Sequence, residues 1–319
     1  MNYIVFDLEW NQSSDKRDKD YGLPFEIVEI GAVKLNDKKE IIGEFNQVVK
    51  PQIYQTIHYM TTKIIHIDKE ELDHGKPFTE VAKEFLNWCG KNYIFCTWGT
   101  LDLTEFQRNL CYYGMDEIAK GPILYYDIQK FFSFKYEDRK IRRALEFAVD
   151  YLNIEKDIPF HRAFSDAYYT AKVYAQINDK EIEKFVSYDV FMIPRNKREE
   201  VHKTFPTYSK YISREFEDKT KAIADKGVSS TKCYVCGRRT KKKIKWFSVN
   251  GKHYYSLSFC KRHGYLKGKA RMKRADDGNI YVIKTLKLIS PEEAELIKDK
   301  QEKLRLQRSE KRKQKKEMI

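Results

Sequence analysis

Asp7 and Glu9 close an apolar run, residues 3–6, that starts at the third residue of the chain. Such a run reads as a buried strand. On a strand, residues i and i+2 share a face, so both carboxylates project together while Leu8 points away. Two carboxylates held side by side repel, and a hard divalent cation resolves that repulsion. An oxygen-only donor set favours Mg²⁺ or Mn²⁺ over Zn²⁺. The feature therefore demands a sheet that ends in a cation site, and open α/β sheets carry their ligands at such strand ends.

Two further segments fit that frame. Residues 93–98 read as a second buried strand, Gly99 lets the chain turn, and Asp102 starts a helical pattern marked by Leu103, Phe106 and Leu110. A helix is predicted from about residue 163 to 177, with Asp166 in its first turn, where the helix dipole favours negative charge. His161 precedes it in the loop after Pro159. A neutral imidazole there suits a general base. Each acid taken singly reads as an ordinary surface residue; the ordered set does not.

The order Asp7-x-Glu9, then Asp102, then His161-x4-Asp166 resembles the DEDDh 3′–5′ exonucleases, and the resemblance runs from the first residues to about 180. It implies a ribonuclease-H-like mixed sheet with flanking helices and two divalent ions. By analogy, Asp7 bridges both ions, Glu9 and Asp166 serve the one holding the attacking water, and Asp102 supports the other. His161 then takes the proton from the nucleophile. The segment 26–33 looks like the family's second strand, where Gly31 and Ala32 leave room beside the site. Trp10 and Asn11 depart from the small residues that commonly follow the acidic pair, which puts the shape of the nucleotide pocket in question. Trp10 either stacks on a terminal base or packs against the sheet, and packing is favoured. The chain looks most like the branch of siRNA- and histone-mRNA-trimming exonucleases and their bacterial relatives, rather than polymerase proofreading subunits.

Charge divides the chain. Residues 1–185 hold 25 Lys and Arg against 31 Asp and Glu, a net of −6, while residues 186–319 hold 36 against 16, a net of +20. A polyanion-degrading enzyme with an acidic catalytic half needs cationic surface elsewhere, and the second half supplies it. The alternative is that the lysines only solubilise the protein. The expected organisation is an exonuclease domain over 1–185, a partly helical linker over 186–226, a zinc-binding basic module over 227–289, and a basic helical tail over 290–319. No run of about 18 apolar residues spans a membrane. With no signal peptide read at the N-terminus, a cytoplasmic protein is expected.

The zinc expectation rests on Cys233-x2-Cys236 and Cys260-x2-His263, each followed directly by glycine. Thiolate and imidazole donors select tetrahedral Zn²⁺, and four protein ligands make a closed structural site. Asn250-Gly251 between alternating apolar residues signals a hairpin, so the module resembles a zinc ribbon. His253 is the alternative fourth ligand. Cys89, Cys96 and Cys111 read as buried packing residues. Trp246, Tyr254, Tyr255 and Phe259 either stack unpaired bases or form the core of this small domain. Ser290, Pro291 and Glu293 make a helix start, and the helix is expected to fray into the basic run 312–316.

The functional expectation is metal-dependent 3′–5′ hydrolysis of single-stranded or 3′-overhanging nucleic acid to nucleoside 5′-monophosphates. RNA is favoured on branch resemblance. The alternatives are a DNA exonuclease and a non-catalytic nucleic-acid-binding protein on a nuclease fold.

Overall fold

The computed structural model describes residues 1–13, 22–65, 67–275 and 277–317. The chain forms two compact units, Met1–Met192 and Ile193–Ile319. The first contains β1 (Asn2–Asn11), β2 (Glu26–Leu35), β3 (Ile41–Val48), α1 (Tyr59–Ile64), α2 (Lys69–Asp73), α3 (Phe78–Cys89), β4 (Tyr93–Thr97), α4 (Asp102–Tyr112), β5 (Ile123–Asp127), α5 (Ile128–Tyr136), α6 (Leu145–Tyr151), α7 (Ala163–Gln176), α8 (Lys180–Glu183) and β6 (Ser187–Asp189). The second contains β7 (Val201–Thr204), β8 (Tyr208–Ile212), α9 (Lys219–Ala224), α10 (Lys226–Ser229), β9 (Lys241–Ser248), β10 (His253–Cys260), β11 (Gly264–Arg274), β12 (Ile280–Ile289) and α11 (Pro291–Glu317).

The first sheet has the order β3-β2-β1-β4-β5-β6. β1 runs parallel to β4 and antiparallel to β2, and β5 continues the parallel set. This is the ribonuclease-H-like mixed sheet that the resemblance implies. Its central strand β1 is apolar because both faces are covered: Ile4, Phe6 and Leu8 join a core with Phe85, Phe95 and Phe106 on one, and Tyr3 packs on Tyr126 and Tyr174 on the other. Parallel strands buried on both faces read as continuous apolar runs. Trp10 packs on Phe25, with ring centroids 5.3 Å apart, so packing is what the structure shows for it. Asn11 is buried and donates to the carbonyls of Tyr54 (2.9 Å) and Thr56 (3.1 Å). Cys89 and Cys96 are buried as expected, but Cys111 is exposed. It follows Leu110 on α4 by one residue, which turns it about 100° away from the apolar stripe.

The second sheet has the order β7-β8-β12-β11-β10-β9, antiparallel throughout. The expected linker over 186–226 is corrected by this sheet. Strand β6 belongs to the first sheet through β5, and β7 and β8 belong to the second through β12. These strands are short, and β8 finds its partner more than 70 residues further along the chain, so local periodicity could not reveal them. The hairpin at Asn250-Gly251 joins β9 to β10, with Gly251 at φ 74°. The tail helix starts on a capping box: Ser290 Oγ accepts from Glu293 N and Glu293 Oε2 accepts from Ser290 N, both at 3.2 Å. The side chains of Arg312, Lys315 and Lys316, and residue Asp276, lie outside the described residues. Among the described residues, no helix is long and apolar enough to cross a membrane.

Candidate active site

Strand register builds the acidic site. In the β1–β2 pair, Asp7 lies opposite Gly31 and Glu9 opposite Glu29, so these four share one face. The first turn of α7 lies on that face. A Cβ on Gly31 would fall 2.0 Å from the backbone nitrogen of Phe164, so only glycine admits the helix this close. Glu29, fully buried, then fastens it. Its carboxylate accepts from Arg162 Nε (3.0 and 3.2 Å), Arg162 Nη2 (2.8 Å) and the backbone nitrogen of Ala163 (3.0 Å). Arg162 also pairs with Glu71 at 2.6 Å.

The docked helix carries Asp166 to the strand. Oxygen atoms of Asp7, Glu9 and Asp166 lie within 4.8 Å of one another. Asp102 stands outside that trio at the start of α4, yet among the neighbouring charges it is the largest influence on Asp7. His161 occupies the left-handed region at φ 67°, which turns its backbone N–H towards Asp166 Oδ1 at 3.3 Å. Such a conformation in a non-glycine residue costs energy and commonly marks function.

Electrostatics favours a cation here. Burial first, and then the neighbouring carboxylates, hold Asp7 well above the ordinary range. The same causes push Glu9 up to about 8. Asp102 rises to about 7, again mainly through burial and against hydrogen bonds that lower it. Burial raises Asp166 as well. Arg162, the cation that bears on Glu9, is already engaged by Glu29 and Glu71. Carboxylates that are half-buried or, for Asp102, buried, whose nearby cation is engaged elsewhere, fit hard divalent ions, since all of them are oxygen donors.

A second donor set gathers in the other unit. Cys233, Cys236, Cys260 and His263 bring their sulfur and nitrogen atoms within 4.8 Å of one another. Sγ of Cys233 is 3.5 Å from Nδ1 of His263, Sγ of Cys236 is 3.7 Å from Sγ of Cys260, and Sγ of Cys260 is 3.7 Å from the same imidazole nitrogen. Zinc bonds of about 2.3 Å to sulfur and 2.0–2.1 Å to nitrogen give tetrahedral edges of roughly 3.8 Å and 3.6 Å, so this set fits Zn²⁺. Backbone N–H from Arg262, helped by His263, holds the Cys260 thiol down to about 6. Gly237 and Gly264, at φ 68° and 84°, make the two tight turns. His253 lies outside the cluster, beside Asn250.

Glu29, Arg162 and Glu71 do not stand out in the sequence as site residues. A signal exists for Glu29: a carboxylate inside the apolar run of β2 requires a buried partner. Nothing local identifies Arg162 as that partner.

Comparison with known proteins identifies the family of the first unit. The family model described as Exonuclease matches residues 4–174. The chain is 27% identical over 178 residues to a DNA polymerase III PolC-type of Caldanaerobacter subterraneus subsp. tengcongensis, which covers 56% of this chain and 12% of that protein. A PolC-type polymerase of Streptococcus sanguinis is 26% identical over 121 residues, 38% of this chain and 8% of that one. The chain thus spans about an eighth or less of these relatives. Among solved structures, the nuclease domain of 3′hExo, a DEDDh family member bound to rAMP, is 20% identical with a TM-score of 0.49, covering 58% of this chain and 96% of that one.

Proposed function

The chain belongs to the exonuclease family, and from that membership we propose that it removes nucleoside 5′-monophosphates from the 3′ end of single-stranded or 3′-overhanging nucleic acid. The observation that carries the reading is the convergence of Asp7, Glu9 and Asp166 beside Asp102, raised in pKa while the neighbouring Arg162 is engaged by other acids. Asp7, Glu9, Asp102 and Asp166 are the residues that would hold two Mg²⁺ or Mn²⁺ ions, whose chemistry is to stabilise charge on the attacking and leaving oxygens of an in-line displacement. His161 accepts the proton of the attacking water as the new P–O bond forms. The bond to the 3′ oxygen of the shortened strand breaks, and that oxygen leaves with the electron pair. The Glu29–Arg162 clamp positions His161 and Asp166 by fixing the turn between them. One Zn²⁺ held by Cys233, Cys236, Cys260 and His263 plays a structural part, and the basic second unit grips substrate.

RNA is the favoured substrate on the resemblance to the trimming exonucleases. DNA is the second reading, because the curated relatives are DNA polymerases. A pair of 5′-labelled strands of about 20 nucleotides, one RNA and one DNA of the same sequence, tests both. With Mg²⁺ or Mn²⁺ the label should remain on a ladder shortened from the 3′ end, with RNA consumed faster. Immediate release of the label as a mononucleotide would reverse the direction. No hydrolysis with any divalent ion would leave a nucleic-acid-binding protein on a nuclease fold.

A further inference from the structure

None of the six strands of the second sheet contains Asp or Glu. The two faces of that sheet differ. On one, Tyr211, Ala270, Met272 and Val282 pack beneath Ala222 of α9 and Val228 of α10. On the other, α11 lays Ala294 and Ile297 over Ile244 and Leu257, with Tyr265 and Ile289 alongside. Next to α11 on this second face, β11 presents Lys267, Lys269 and Arg271 at alternate positions, and the last two are exposed.

Register brings a further lysine to the same place. Lys267 lies directly opposite Lys287 of β12. Like charges directly opposed across strands destabilise a sheet. Neither lysine, nor Lys269 or Arg271, has an ion-pair partner among the described residues. Alternate residues on a strand are spaced roughly 6.8 Å apart, comparable with successive phosphates on a stretched single strand. Tyr255 sits in the same cross-strand row as Lys269, with the ammonium groups of Lys300 and Lys267 at 4.5 and 5.6 Å from its ring centre. Trp246 and Tyr254 pack on the opposite core, and Tyr265, two residues before Lys267, packs into the cluster under α11, so Tyr255 is the aromatic opposite Lys269.

We propose that this face is a track for single-stranded nucleic acid, with phosphates on Lys267, Lys269, Arg271 and Lys287 and a base stacked on Tyr255. The proposal deepens, and rests on, the reading of the second unit as the substrate grip. An uninterrupted cation column matches a polyanion, and the aromatic beside it selects unpaired bases.

The test measures binding of a fluorescein-labelled oligoadenylate of about 20 nucleotides to the full-length protein, in Ca²⁺ without Mg²⁺ or Mn²⁺, across a salt series. Lys269→Ala/Arg271→Ala should weaken binding about tenfold near physiological salt and reduce the slope of log K against log salt by about 1.4, from two single-strand phosphates at about 0.7 each. The charge-preserving Lys269→Arg/Arg271→Lys pair should restore both. Lys219→Ala/Lys226→Ala removes the same charge from the α9 and α10 side and should cost less than about twofold. Tyr255→Leu should weaken binding at least about fivefold with no change of slope. Equal losses from the two alanine pairs would overturn the track, since net charge alone would then account for binding. A Tyr255→Leu variant that binds normally would overturn the single-strand assignment. Hydrolysis is not read in this experiment, so failure here leaves the exonuclease reading standing, and failure of hydrolysis leaves the track standing.

Discussion

At the scale of single residues, the reactive set is legible because carboxylates at a strand end are costly unless something offsets them. Asp7 and Glu9 stand out in that way, and Asp166 through its place in the first turn of a predicted helix. His161 does so only through its spacing from Asp166, since nothing in a sequence reveals that its φ is 67°. If it is the general base, His161→Ala should slow single-turnover hydrolysis by ~10²–10⁴-fold with little change in binding. Weak binding with an unchanged single-turnover rate would instead make it a substrate-positioning group. The carboxylates make a separate prediction about pH. Glu9 is pushed up to about 8 and Asp102 to about 7, while both titrate near 4 when unfolded. Between roughly pH 4 and 8 the metal-free fold therefore holds protons that the unfolded chain has released, and stability falls as pH rises through that window. Without added divalent ions, melting of the first unit should occur at lower temperature near pH 8.5 than near pH 6, and Mg²⁺ or Mn²⁺ should raise Tm more at the higher pH. A pH-independent Tm would contradict the raised carboxylates of this site.

At the scale of elements, strands β1 and β4 and helices α4 and α7 follow from their apolar patterns, and β2 from the resemblance. What does not follow is how α7 reaches the sheet. That depends on Gly31 standing opposite Asp7 and on Glu29 capturing Arg162 more than 130 residues away, both consequences of register and packing. The turns of the proposed zinc site are legible for the opposite reason: the candidate ligands and glycines are local in sequence, and the Asn250-Gly251 hairpin between them closes the intervening segment. Cys233→Ser should lose tightly held zinc, about one ion per chain in the unaltered protein, and should loosen the ends of β10 and β11 first. Hydrogen exchange would report the loosening, and metal analysis the loss. Unchanged zinc content would remove the cluster from consideration as the metal site.

At the scale of the whole molecule, the charge division anticipates two functional parts, but the structure moves the boundary. A cut near residue 226 would strand β7 and β8 away from β12, whereas a cut after Met192 respects both sheets. Residues 1–192 carry all five proposed catalytic residues and should remain a metal-dependent exonuclease that lacks zinc. Long single strands should bind it more weakly and with a shallower salt dependence, the slope falling by about 0.7 for each phosphate that the missing unit would have neutralised. Unchanged affinity and slope would show that the basic unit is not the grip.

The exonuclease reading depends on the carboxylates that converge on β1 performing hydrolysis with divalent ions. The decisive comparison is single-turnover hydrolysis of a 5′-labelled RNA, in saturating Mn²⁺, by the unaltered protein and by Asp7→Asn. Removing the carboxylate proposed to bridge both ions should cost several kcal/mol of transition-state stabilisation, at least ~10³-fold in rate, while the variant stays folded by circular dichroism. A folded Asp7→Asn protein that keeps more than about a tenth of the rate would contradict the proposed site, because one tenth corresponds to only about 1.4 kcal/mol.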